Sequence, residues 1–180
     1  MAGTPRCRCP GPGDAPFGVV EDDERVGRLI LDPKHIKENG ELRTQITDKR
    51  DLLALDQSVS RVAFMSPSEI RAKAQRLIDN PHVTSARGGV VGYAEVAASD
   101  LRELPKFVEE DRDGIHVCII DSPINDETET DLAHASFGFP DPEQLPFEPH
   151  ELLQVRRRLA KLLSKTVRRF DHPVLPSNSS

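Results

Sequence analysis

Three residues have the types and spacing that could do chemistry together: Asp121, His134 and His35. Asp121 ends the apolar run Ile115-His-Val-Cys-Ile-Ile120, and His134 follows 13 positions later beside small residues. A carboxylate that orients an imidazole fixes its tautomer and raises its basicity, which general-base chemistry and metal ligation both require. The gap lets the end of a strand face a following helix that carries His134. His35 can join from its own strand exit, just after Asp32-Pro33. Together they form a candidate catalytic site, and a small hydrolase, one acting on phosphoesters among them, is the enzyme class it would serve. The competing reading makes Asp121 a strand terminator and leaves the histidines in capping or surface roles.

Other groups carry less. His116 and Cys118 share one face of the same strand, but a metal there needs ligands from neighbouring strands, and a satisfied buried His is the simpler reading. Cys7-Arg8-Cys9 has no further His or Cys until His35. Ala86-Arg87-Gly88-Gly89 precedes a strand, whereas phosphate-cradling loops follow a strand and open a helix, so it reads as a turn. No G-x-S-x-G, H-E-x-x-H or Walker pattern occurs. No metal site is expected and no cofactor is implied.

The segments His82-Val-Thr84-Ser and His134-Ala-Ser136-Phe are similar to the two H-x-[ST]-x motifs of the 2H phosphoesterases. The resemblance implies histidines acting as general acid and base and hydroxyls holding a phosphate. It covers eight residues and departs from that family twice. The motifs lie 52 positions apart, closer than its tandem repeat suggests, and the second falls in a predicted helix rather than a strand.

A rival function class rests on charge. Residues 151–180 carry seven bases (Arg156, Arg157, Arg158, Lys161, Lys165, Arg168 and Arg169) against two acids, while the other 150 residues carry 17 bases and 28 acids. Such polarity suits a basic helix that meets an acidic partner, or one that lies on its own acidic body. With no Trp and one Tyr, stacking platforms for single-stranded nucleic acid are not expected. The leading expectation is a small cytoplasmic interaction or accessory module that binds a protein partner through this helix, with nucleic acid disfavoured.

The elements that must position these residues read as one α+β domain of about four or five strands and two main helices. Residues 25–170 form the domain, between a disordered segment 1–24, rich in Pro, Gly and acids, and a disordered tail 171–180. Strands are expected at Val26–Leu31, Ser58–Phe64, Gly89–Ala97 and Ile115–Ile120; Gly92 inside the third signals a bulge or a close backbone approach. Residues 41–57 fit a short helix or an ordered loop, and Asn39-Gly40 a tight turn. Ser66-Pro67-Ser68-Glu69 predicts a capping box opening a helix to about Asp79. His150–Phe170 is the longest expected helix, with Leu152, Val155, Leu159, Leu162, Leu163, Thr166 and Phe170 along one stripe. No stretch is long and apolar enough to span a membrane. The N-terminus lacks the apolar core of a secretory signal, and three cysteines form no disulfide framework, so a reducing cytoplasm is expected.

Overall fold

The structure, a computed structural model, describes residues 16–80, 88–103, 117–125, 130–139 and 148–177. Six strands build an antiparallel sheet: β1 (Arg25–Asp32), β2 (Gln57–Arg61), β3 (Gly89–Ala97), β4 (Cys118–Asp121), β7 (His134–Gly138) and β8 (Val167–Val174). Their order is β4-β7-β2-β1-β3-β8, and β5 (Ile124–Asn125) pairs with β6 (Thr130–Asp131) as a separate hairpin. The helices are α1 (Lys49–Leu53), α2 (Pro67–Asp79), α3 (Ala98–Arg102) and α4 (Pro149–Ser164). The α+β class is as expected, with eight strands among the described residues rather than four or five.

Each face of the sheet has its own core. On one, Leu152, Val155, Leu159 and Leu163 of α4 pack on Val26, Ile30, Val59, Ala94 and Val96. On the other, Ala74 and Ile78 of α2 pack on Leu31, Val90 and Val174. Burying such side chains contributes about 1.5–3 kcal/mol each. The start of α2 is set locally, as the sequence predicts. Ser66 Oγ accepts from the Glu69 amide at 3.3 Å, Glu69 Oε2 accepts from the Ser66 amide at 2.7 Å, and Pro67 sits in the first turn.

Several expectations change. The C-terminal helix stops at Ser164 rather than Phe170, and after a turn at Lys165-Thr166 the chain becomes edge strand β8. Its approach depends on Gly92, whose φ is +156° and where a Cβ would collide with the Arg168 carbonyl. The expected close approach at Gly92 is thus present, with a register shift between Val90 and Gly92. Pro173 is tolerated because β8 has a free edge. The tail expected to be disordered from residue 171 is strand to Val174, and Ser177 donates to Asp79 through its amide and its hydroxyl.

At the other end, residues 16–24, expected to be disordered, are tied to the fold, with Val20 as the one of them that is buried. Val20 is 1% exposed, and Arg61 binds the carbonyls of Gly18 and Val19. His134 lies on a strand, not a helix, and β4 is an edge of the sheet among the described residues. Strand β4 is short and Pro123 follows closely, so its outer side offers little to a further partner. The tight turn at Asn39-Gly40 is present, with Gly40 at φ +84°. Cys118 is disulfide-bonded, where the sequence reading expects no disulfide framework. No described helix is long and apolar enough to cross a membrane. His82, Thr84 and His116 lie outside the described residues.

Candidate functional site

The register between β2 and β7 builds the site. Ser58 lies opposite Ser136, and Ser60 opposite His134, so Ser58 and His134 are diagonal neighbours on one face of the sheet. Their side chains meet: Ser58 Oγ is 2.9 Å from His134 Nε2. On the imidazole's far side, Nδ1 is 2.7 Å from the Ser122 carbonyl oxygen and 2.9 Å from Ser122 Oγ. Ser122 is held by its own amide, which donates to the His134 carbonyl at 3.1 Å, and by Ser136 Oγ at 3.0 Å.

These distances assign the tautomer. A carbonyl oxygen only accepts, so Nδ1 carries the proton and Nε2 presents a lone pair to the Ser58 hydroxyl. His134 is 8% exposed; burial, joined by the Lys73 charge, lowers its pKa below the usual histidine value, although the Ser122 carbonyl opposes this. At neutral pH the ring is a free base. A hydroxyl beside an oriented neutral imidazole is the arrangement that nucleophilic catalysis requires.

The pair opens on a cavity of about 290 Å³ between the sheet, α2 and the β5–β6 hairpin. Among the described residues, Arg28, Lys34, Lys73, Arg76 and Asp131 line it, and Asp131 pairs with Lys73 at 2.5 Å. His35 lines the same cavity, so the structure brings two of the three residues named from the sequence to one space.

Asp121 is elsewhere. It lies opposite Ala135 on the other face of the sheet, and its Oδ1 is 3.2 Å from Arg61 Nη1. The group that orients His134 is therefore the carbonyl of the next residue, Ser122. No protein-family model, curated protein or solved structure matches this chain. The site stands on its own geometry, and among the described residues no cluster of three or more His, Cys, Asp or Glu could hold a metal.

The seven bases do not form one helical face. Arg156 folds onto its own domain, donating to the carbonyls of Thr44 (3.1 Å) and Thr47 (2.8 Å). Arg168 reaches Glu95 at 3.3 Å from β8, and Arg169 is exposed on the same strand. Arg157, Arg158, Lys161 and Lys165 are exposed on α4 or at its C-cap, and Arg157 and Lys161 line a second groove with Lys37 and Arg43. Ser58 is the residue that sequence reasoning left without a role. A serine in an alternating strand carries no signal until the strand's partner is known.

Proposed function

We propose that the protein is a small hydrolase in which Ser58 Oγ is the nucleophile and His134 Nε2 its base. The observation that carries this reading is the unbroken chain from Ser58 Oγ through both nitrogens of His134 to the Ser122 carbonyl. Ser58 Oγ attacks the electrophilic centre of an ester while its proton passes to Nε2. The imidazolium is stabilised by its Nδ1–H bond to Ser122 and returns the proton to the leaving alkoxide. Water, deprotonated by the same Nε2, then releases Ser58. The roles follow the Ser-His logic of acyl transfer, with a backbone carbonyl in the orienting position. Of the three residues named from the sequence, His134 is the base, His35 lines the cavity, and Asp121 takes no part.

Turnover of a small panel of 4-nitrophenyl esters by the full chain tests it. Ser58→Ala and His134→Gln are each expected to lower kcat by ~10²–10⁴-fold. The rate should rise with pH through a pKa below 6.5, since only neutral His134 can accept the proton, and should be level at pH 7 to 8. Full turnover by Ser58→Ala would overturn the assignment.

A second reading, an acidic protein partner docking on the basic C-terminal region, is favoured by the groove of about 560 Å³ that Arg157 and Lys161 line with Arg43 and with Lys37, which pairs with Glu41 in the same groove. Arg157→Glu with Lys161→Glu should abolish binding of an acidic peptide and leave ester turnover unchanged.

A further inference from the structure

Ser58, Ser122 and Ser136 spend their hydroxyls on His134 or on one another. Ser60 does not: among the described residues nothing bonds its Oγ. It stands two residues beyond Ser58 on β2 and lies opposite His134 on β7. Side chains alternate along a strand, so Ser58, Ser60 and His134 share one face, while Val59 between the two serines turns to the core under α4. Ser60 is 8% exposed and lines the cavity with Ser58 and His134. Its backbone is paired on both sides, with Gly27 of β1 and His134 of β7, so the surface it keeps belongs to its side chain on the cavity face. A buried hydroxyl that makes no bond needs a reason, and the chemistry beside it supplies one.

Attack by Ser58 Oγ on an ester carbon forms a C–O bond and moves the π pair of the C=O bond onto its oxygen. His134 takes the hydroxyl proton, and neither member of the pair donates to the new oxyanion. Residues two apart on a strand stand roughly 6–7 Å apart. A reacting carbon about 3 Å from the nucleophile, a C=O bond of about 1.2 Å and a donor about 2.9 Å from the oxygen make a bent path of that span. We propose that Ser60 Oγ–H is the oxyanion donor, so that the substrate is a carboxylic ester whose carbonyl lies along β2 from Ser58 to Ser60. This rests on the hydrolase reading and deepens it. Ser60 keeps its proton throughout. Its hydrogen bond strengthens as charge builds on the oxygen and weakens when C=O re-forms and the alkoxide leaves with the proton held by His134. Held by strand pairing on both sides, the donor is in place before the charge develops.

The full chain is assayed with 4-nitrophenyl acetate and with phenylboronic acid, which forms a tetrahedral adduct on a serine and sets an oxygen where the oxyanion would sit. Ser60→Ala should lower kcat by about 10²–10³-fold, leave KM nearly unchanged and weaken the boronate to a similar degree. The pH–rate profile should keep its wild-type midpoint, because His134 and Ser122 are untouched. Ser60→Thr, which keeps the hydroxyl, should retain more of the rate than Ser60→Val, which has the same shape without it.

Wild-type kcat and boronate affinity in Ser60→Ala would overturn the donor, as would equal rates in Ser60→Thr and Ser60→Val. Turnover lost in Ser58→Ala but kept in Ser60→Ala retains the nucleophile and removes the donor. Boronate that weakens in Ser60→Ala while the ester is not turned over keeps Ser60 as the donor and removes ester hydrolysis from the reading. A fluorophosphonate label on Ser60 in place of Ser58, or a wild-type chain with neither turnover nor boronate binding, would overturn both.

Discussion

Two buried polar clusters sit on strand β2, one at Arg61 and one at Ser58, and they use their hydrogen-bonding capacity in opposite ways. Arg61, 1% exposed, is saturated. Nε and Nη2 donate to the two carboxylate oxygens of Glu24, each at 2.6 Å; Nη2 also donates to Val19 O, and Nη1 reaches Gly18 O and Asp121 Oδ1. Its guanidinium also lies 4.8 Å from the centre of the Phe64 ring, on which Phe17 stacks. Every contact leads back into the fold. Around Ser58 the same strand meets a cavity, the His134 imidazole against the Ser58 hydroxyl, and a buried His35 Nε2 without a hydrogen-bond partner. A closed cluster holds the chain together, whereas an open one at a cavity is ready for something outside it.

The contrast can be broken in four ways. Arg61→Met should have the largest effect, about 3–5 kcal/mol of stability in urea denaturation, because it strands the charge of buried Asp121 and frees Glu24. A cost below about 1 kcal/mol would mean that Arg61 is not the anchor described here. Removing residues 1–20 should come next. It deletes buried Val20 and two carbonyl partners of Arg61, and should lower the melting temperature by roughly 4–8 °C. An unchanged midpoint would detach that segment from the core.

The third concerns pH. His35 has a pKa of about 3 when folded against 6.5 as its ordinary value. As pH falls below 6.5 the unfolded chain takes up the proton first, so the full stability present above 6.5 is lost on the way down to about 3. The slope approaches ~1.4 kcal/mol per pH unit, and His35→Leu should remove it. An acid slope that survives the substitution would place the titration elsewhere. The smallest effect tests the separation of the clusters: Asp121→Asn should leave the His134 titration, followed by NMR, where it was. A shift would couple the two faces of the sheet.

What the sequence reveals of this arrangement follows the range of the interactions. The capping box at Ser66 and Glu69 spans four residues and is read correctly, as are the bounds of α2. Strand β8 is hidden because Thr166 and Phe170 continue the helical stripe of α4, although Phe170 in fact packs near Tyr93 and under Arg71. Strand β7 is five residues of mostly small side chains, made a strand by β2 and β4 on either side. The site divides in the same way. His134 and His35 are visible as residue types, but the role of Ser58 depends on a pairing across 76 positions. Asp121 misleads by one position: side chains alternate along a strand, so the residue facing His134 is Ser122 and the carboxylate turns to the opposite face.

The central claim is that Ser58 is a nucleophile activated by His134. Labelling of the full chain with a fluorophosphonate, followed by peptide mapping in a mass spectrometer, tests it most directly. The phosphonyl group should be found on Ser58, labelling should fall by at least ~10²-fold in His134→Gln, and Asp121→Asn should label as the wild type does. Labelling at another serine, or at Ser58 with equal speed in His134→Gln, would contradict the account.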